Sequence, residues 1–321
     1  MPRILISPYL QHPSPPNTIF MPSKILPPFL QPGDLLKVIA PSGALQEPEA
    51  LALGLEIWRS RGYKIEIIPE LTTNWGYLAE KDLIRRQQLA TAWQDPNCRG
   101  ILCTRGGFGS TRILENWNWN LKSTLPKWLI GFSDITALLW SLYNTGIASI
   151  HAPVLTTLAT ENDWSIQRLF DLVEGRSIPP LKGIGWGGGV ATGILLPGNL
   201  TVSTHLLGTS IIPPLDNVIL AWEDVTEAPY RIDRMLTQWR LSGAMSKIRG
   251  IALGNFTNCQ APPKVPSFSV EEVLHDRLSD LGIPIVSNLP FGHSNHNAAL
   301  PVGVLATLNG NQGILKIADL T

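Results

Sequence analysis

A serine at the sharp junction between an apolar strand and an apolar helix is well placed to act as a nucleophile. Residues 128–139, Trp-Leu-Ile-Gly-Phe-Ser-Asp-Ile-Thr-Ala-Leu-Leu, put Ser133 at such a junction. Gly131 permits a tight turn, and a helix starting near Asp134 would aim its unpaired N–H groups at whatever the serine holds, stabilising a developing oxyanion. The motif is incomplete: Ile135 stands where the strict Gly-x-Ser-x-Gly pattern has its second glycine, and Gly-x-Ser also occurs in inert turns. The catalytic reading therefore requires a base to take the serine proton and a carboxylate to orient that base.

Six histidines are available. His12 lies in a Pro-rich leader, His205 on an apolar helix-like stretch and His275 in a charged helical run, which reads them as surface or core residues. His293 sits in the polar, Gly-containing segment Leu289-Pro290-Phe291-Gly292-His293-Ser294-Asn295-His296-Asn297, the kind of loop that displays functional side chains. His151, in Ile150-His151-Ala152-Pro153, is the rival base and could equally satisfy a backbone group at a strand end. The His293/His296 spacing suggests a metal pair, but no further ligand cluster stands beside it, and zinc ranks well below a triad. For the carboxylate, the apolar strand Val218 to Trp222 ends in Glu223 and Asp224, whose side chains must point to opposite faces. Glu223 is the candidate, with a strand-end salt bridge to Arg231 or Arg234 as the equal alternative. Asp224 could cap the helix expected from Ala228 to Leu241.

Four segments taken in order, Arg105-Gly106-Gly107-Phe108-Gly109, Ile130-Gly131-Phe132-Ser133-Asp134, Trp222-Glu223-Asp224-Val225 and Gly292-His293, resemble the LD-carboxypeptidase family of serine peptidases. This family comprises the muramoyl-tetrapeptide carboxypeptidases and includes the microcin C immunity proteins. The resemblance runs from about Pro32 to near the C-terminus and includes Pro41-Ser42 and Gly198-Asn199-Leu200. It implies a Ser-Glu-His triad of Ser133, Glu223 and His293, with an oxyanion site made by a backbone N–H of the Gly106-Gly107 turn and that of Asp134. It also implies a substrate, a cytoplasmic murein tetrapeptide cleaved before its C-terminal D-alanine during cell-wall recycling, and a reaction without metal or organic cofactor. Arg105, beside the oxyanion turn, is a candidate for the substrate's terminal carboxylate, its other role being a salt bridge that holds the loop. Pro197 and Pro229 depart from the family pattern without touching the triad.

Composition fits a cytoplasmic enzyme. The 321 residues, 44% of them hydrophobic, suffice for one large or two moderate cores. The 25 basic and 25 acidic residues leave no basic stripe for nucleic acid. Three scattered cysteines, Cys98, Cys103 and Cys259, argue for a reducing compartment and against Cys103 as a nucleophile. No segment has the length of a membrane span, and prolines interrupt any signal core near the N-terminus. The expected partner is a small peptide substrate, without nucleic acid or membrane; a homodimer is compatible with the composition.

From Asp34 the pattern alternates strand and helix: Leu35–Ala40, Glu49–Arg61, Lys64–Ile68, Lys81–Trp93, Gly100–Thr104, Trp128–Phe132 and Ile135–Tyr143. The expected fold class is α/β, an open parallel N-terminal sheet with flanking helices plus a smaller C-terminal α/β domain, with the site in the cleft between them. Expected boundaries are a disordered leader over 1–26, the nucleophile domain over 27–176, a Pro/Gly linker over 177–190 and the Glu/His domain over 191–321. A hairpin around Asn309-Gly310 closes the chain. The Gly106 turn is not Gly-x-Gly-x-x-Gly and does not follow the first strand, which disfavours a dinucleotide site.

Three other functions come into view. An aminoacyl-sulfamoyl adenylate hydrolase would need an aromatic platform, for which Trp186 or Trp75 is available. A glutamine-amidotransferase-like enzyme is disfavoured by serine at the elbow, and a non-enzymatic binding protein would leave the triad-type residues unexplained. Translation from Met21 would remove the leader without harming the fold. Deleting residues 1–20 is accordingly expected to leave both melting temperature and activity unchanged, because a Pro-rich polar leader has little apolar surface to bury; a large drop in either would show that it packs on the body.

Overall fold

The computed structural model describes residues 25–70, 74–119 and 125–320, so nearly all of the expected leader, and the Met21 start, lie outside the described residues. Ile25 is already anchored: its N–H donates to the Gly146 carbonyl at 2.9 Å and its carbonyl accepts from the Ala148 N–H at 3.0 Å.

The first half supplies strands β1 (Leu35–Ile39), β2 (Lys64–Ile67), β3 (Cys98–Cys103), β4 (Trp128–Gly131) and β5 (Ser149–His151). All five are parallel, and every residue of β4 is buried, as expected of a strand covered on both faces by helices. The helices of this half are α1 (Pro48–Ser60), α2 (Asp82–Gln94), the short α3 (Ser110–Ile113), α4 (Thr136–Tyr143), α5 (Leu155–Leu158) and α6 (Asp163–Val173). Of these, β1, α1, β2, α2, β3, β4 and α4 agree with the expected alternation to within two residues, and β5, α3, α5 and α6 add to it. One difference is the start of the Ser133 helix, where Ser133–Ile135 forms a 3-10 turn before α4 begins.

The second half contains β6 (Leu181–Lys182), β7 (Ile184–Gly185), β8 (Val190–Asn199), β9 (Val218–Val225), β10 (Gly250–Thr257), β11 (Ile285–Ser287), β12 (Leu300–Val302), β13 (Val304–Asn309) and β14 (Ile314–Ile317). Its helices are α7 (Leu200–Leu206), α8 (Pro229–Leu241) and α9 (Val270–Leu278). The second sheet has the order β6-β14-β13-β8-β9-β10-β11-β7. Its two edge strands are separated in sequence by Gly183 alone, so the sheet must curl until its edges meet. Residues 177–190, expected as a linker, thus supply both edges. Pro197 is accommodated because β13 pairs with β8 only as far as Leu195, beyond which no ladder bond is lost on that side. Pro229 opens α8 at a first-turn position where its missing N–H costs nothing.

The chain order of the first sheet is β12-β5-β4-β3-β1-β2. Two consequences follow. The order reverses between β1 and β3, so the crevice at their carboxyl ends, next to that of β4, is the switch point where open α/β sheets bind ligands. In addition β12, from the second half of the sequence, returns as an antiparallel edge strand, with Leu300 opposite His151 and Val302 opposite Ser149. The halves are also joined where Trp140 Nε1 donates to the Pro197 carbonyl at 2.9 Å and the Asn199 N–H to Thr136 Oγ1 at 3.0 Å.

Leu300 is fully buried within this returning strand. Leu300→Ala is expected to cost about 2–5 kcal/mol of unfolding free energy in denaturant titration. A loss well under about 1 kcal/mol would show that β12 is not an integral part of the first sheet.

Candidate active site

Ser133 stands two residues beyond the end of β4 with φ at +62°, a left-handed conformation that a serine adopts only where its surroundings impose it. The turn is wedged in from two sides. Ile135, which stands in place of the second glycine, packs its side chain over Gly131, and Gly106 lies so close that a Cβ there would come within 3.0 Å of Ser133 Oγ. The Asp134 N–H belongs to the first turn of a helical segment and has no partner within it, so it is a donor free for an oxyanion beside the Gly106-Gly107 turn.

The Asp134 side chain has a different task from its backbone. Buried at the base of the crevice, its carboxylate accepts from Ser42 Oγ at 2.6 Å and from the Ser110 N–H at 2.8 Å, while Ser110 Oγ donates to the Asp134 carbonyl. One acid thereby ties the loops after β1, β3 and β4 together. Burial pushes its pKa up, opposed by these hydrogen bonds and by the charge of Arg85. Arg85, wholly buried on α2, donates to the carbonyls of Pro41, Gly109 and Glu80 and holds the same loops from below.

Glu223 is fully buried on β9, and its Oε2 lies 2.6 Å from His293 Nδ1. An ionised carboxylate can only accept, so Nδ1 carries the proton and Nε2 of the neutral ring is left as the basic nitrogen. Burial alone would raise the Glu223 pKa; the facing His293, with smaller contributions from His151 and Asn199, outweighs it and holds the carboxyl below its ordinary value. His293 answers in kind: burial would lower its pKa, but the charge and hydrogen bond of Glu223 raise it above 6.5. Neither Arg231 nor Arg234 pairs with Glu223; Arg231 meets Glu227 and the Tyr230 hydroxyl instead. Asp224 does not cap α8, whose N-cap is Ala228. It accepts from the Thr201 N–H at 2.9 Å and Thr201 Oγ1 at 2.8 Å, in the first turn of α7.

Ser133 and His293 face a common cavity of about 250 Å³, lined also by Phe132, Arg105, Gly106, Gly107, Glu47 and Thr156. Wider depressions of about 560 and 690 Å³ elsewhere bring no histidine to a hydroxyl. Arg105 donates to the Ala44 carbonyl and lies 3.6 Å from Glu47, so it both holds the loop and presents a cation to the cavity. His151, the rival base, is fully buried between Phe132 and Phe291, and neither of its ring nitrogens has a hydrogen-bond partner among the described residues. His296 Nδ1 meets the Asn295 side chain 2.9 Å away. Trp186 donates to Ser287 Oγ and faces a separate cavity, and Trp75 lies beneath Arg112, so neither lines the Ser133 cavity.

Several residues of the site escaped the sequence. Asn199 bridges both acids of β9 through Nδ2, at 3.3 Å to Glu223 and 3.0 Å to Asp224, and caps α7 with its Oδ1. Its only signal was its place in Gly198-Asn199-Leu200. Ser42 likewise had only its place in Pro41-Ser42, and Ser110 and Arg85 carry no local signal, because their partners are distant in sequence.

Residues 36–152 match the LD-carboxypeptidase N-terminal domain and residues 192–308 the LD-carboxypeptidase C-terminal domain. The chain belongs to the LD-carboxypeptidase family. It is a hydrolase of the carboxypeptidase class. The "Putative carboxypeptidase slr1534" of Synechocystis sp. is 55% identical over 297 residues, covering 92% of this chain and 98% of that one. The murein tetrapeptide carboxypeptidase of Pseudomonas aeruginosa is 31% identical over 291 residues, covering 86% and 93%. Among solved structures, the muramoyltetrapeptide carboxypeptidase from Oxalobacter formigenes superposes with a TM-score of 0.77 at 27% identity, over 88% of this chain and 97% of that one. The microcin C7 self immunity protein MccF shares the fold, with a TM-score of 0.82 at 20% identity over 92% and 100%. Among the described residues no helix is long and apolar enough to cross a membrane.

The buried His151 and the partly buried His293 of this LD-carboxypeptidase family member should separate cleanly in an NMR titration. His293 is expected to titrate above 6.5, and His151 far lower, pushed down to about 4 by burial. Glu223→Gln removes the charge that does most to raise His293 and leaves burial opposed only by the charge of Asp224, so its midpoint should fall. A His293 midpoint that does not move in Glu223→Gln would break the proposed coupling.

Proposed function

We propose that the protein is a serine-type LD-carboxypeptidase that releases the C-terminal D-alanine from murein tetrapeptides in cytoplasmic cell-wall recycling. The observation that carries this reading is His293, held through Nδ1 by the buried Glu223 while its ring lines the same cavity as the left-handed Ser133. His293 Nε2 takes the Ser133 proton as Oγ attacks the carbonyl before the terminal D-residue. Glu223 stabilises the imidazolium that results, and the Asp134 N–H with a donor of the Gly106-Gly107 turn receives the oxyanion. The protonated His293 then gives its proton to the departing amine, and water releases the acyl group by the same steps in reverse.

Substrate choice is supported by the names of the Pseudomonas and Oxalobacter relatives and by the cavity itself. A carboxypeptidase must neutralise a terminal carboxylate, and Arg105 supplies a cation at the wall that also carries the oxyanion turn. The second reading, hydrolysis of an aminoacyl-sulfamoyl adenylate, is motivated by the fold of MccF, solved with aspartyl sulfamoyl adenosine. It is weakened by the absence of both Trp186 and Trp75 from the lining of the Ser133 cavity.

Incubation of the purified protein with murein tetrapeptide and, separately, with an aminoacyl-sulfamoyl adenosine, followed by mass analysis, tests the two readings against each other; free alanine from the first substrate alone is expected. Ser133→Ala and His293→Ala should each lower turnover by about 10⁴-fold or more, and the double variant should lose no more than either, because nucleophile and base act as a unit. His151→Gln should keep measurable hydrolysis. Near-normal turnover in either single triad variant would remove that residue from the mechanism.

A further inference from the structure

The loop that carries His293, residues 291–298, has no regular secondary structure, so its hydrogen bonds alone decide where the imidazole points. From the second sheet, Asn255 Nδ2 on β10 donates to the Phe291 carbonyl at 3.1 Å and to Ser294 Oγ at 2.9 Å. The opposite side is held by the first half of the chain, at the entry to α6. The Asn162 N–H and Nδ2 both donate to the Asn295 carbonyl, at 3.2 and 2.9 Å. Glu161 Oε2 accepts from the Asn297 N–H at 3.0 Å. Further along, Arg168 Nε donates to the Ala299 carbonyl at 3.2 Å.

Of these contacts, the one at Glu161 leads directly to the base. Asn297, whose N–H it holds, turns its own Oδ1 back to accept from the Gly292 N–H at 3.0 Å. Gly292 immediately precedes His293, at φ +110°, and packs so tightly on Glu223 that a Cβ would meet that side chain at 2.7 Å. Two successive hydrogen bonds therefore join the Glu161 carboxyl to the backbone on which the His293–Glu223 pair is aligned. We propose that Glu161 is a positioning residue of the catalytic site, acting through Asn297 and Gly292 to hold His293 in register with Ser133. This rests on the reading of Ser133 and His293 as nucleophile and base.

A carboxylate accepts a backbone N–H about twice as strongly as a neutral acceptor does. The carboxyl of Glu161 faces the Asn297 N–H from the base loop and Ser165 from α6, with no charged partner among the described residues, and burial pushes its pKa up to about 7. Loss of the acceptor leaves the Asn297 N–H unmatched and frees the loop on one side. A displacement of about 1 Å at a catalytic group can cost on the order of 100-fold in rate.

The test combines kcat and KM on murein tetrapeptide with the rate at which a fluorophosphonate probe labels Ser133, which needs no knowledge of the substrate. Glu161→Ala should lower kcat and labelling by roughly 10- to 100-fold with KM changed less than about 2-fold. Glu161→Gln, which keeps an oxygen acceptor, should recover most of the loss. In a His293→Ala background, Glu161→Ala should cost nothing further, since its effect passes through that ring. Undiminished labelling in Glu161→Ala, or an equal loss with and without His293, would overturn the positioning role alone. Should Glu161→Ala not fold, Asn297→Ala, which removes the acceptor of the Gly292 N–H, should lower labelling to a similar degree, and undiminished labelling in it would overturn the role as well. A wild-type protein that the probe does not label would overturn the serine reading on which the role depends.

Discussion

A carboxylate stripped of all contact with water keeps its charge only where a close partner offsets the lost hydration. At Glu223 that partner is His293, 2.6 Å away, with Asn199 Nδ2 on the other oxygen. Much of the architecture is arranged around this requirement. The strand that carries Glu223 is central in a sheet curled until its edges meet, which excludes solvent from the acid. Gly292 lets the base loop descend onto the Glu223 side chain, a distance that any larger residue would forbid. The same bond that keeps Glu223 charged raises the basicity of His293 and fixes which of its nitrogens faces the cavity.

Strain at Ser133 is the counterpart on the other sheet. Its left-handed φ is held by loops after three neighbouring strands, and those loops are joined by the buried Asp134 and Arg85 rather than by apolar packing. Such a conformation costs on the order of 1–3 kcal/mol and persists only where the surroundings over-determine it. The oxyanion turn at Gly106 is placed by the same clamp, since Arg85 reaches the Gly109 carbonyl at the end of that turn. Ser133, the Gly106-Gly107 turn and the clamp are thus tied together by hydrogen bonds, and His293 approaches them from the other half of the chain.

How that approach is made exact depends on segments that cross between the halves. Strand β12 joins the first sheet directly after the base loop, opposite the strand ending in His151. Behind the site, burial keeps His151 neutral, and its ring has no hydrogen-bond partner among the described residues, filling space between Phe132 and Phe291. Both buried apolar clusters draw on the two halves, one of them holding Trp140 together with Leu196, Trp222 and Trp239. The placement of Ser133 opposite His293 is therefore a property of the folded chain as a whole.

The α/β alternation of the first half was legible from residue types alone, because period-two and helical patterns are local and the strands there are continuous apolar runs. Ser133, Glu223 and His293 were legible as well, each in a short motif whose order matched a known family. What the sequence did not reveal is non-local. The curled sheet closed by Leu181–Lys182 and Ile184–Gly185, the return of Leu300–Val302 to the first sheet and the hydrogen bonds from Thr201 in the first turn of α7 to Asp224 all join residues far apart along the chain. Glu161 is the plainest case: it lies 136 residues from the Asn297 N–H it accepts, on the opposite half of the molecule, and no pattern near it distinguishes it from a surface acid. By itself the chain determined which groups could do the chemistry, since identity and local backbone are encoded residue by residue. Only the tertiary structure decided which acid, which histidine and which supporting groups meet, because hydrogen bonds and burial act over a few ångströms regardless of separation in sequence.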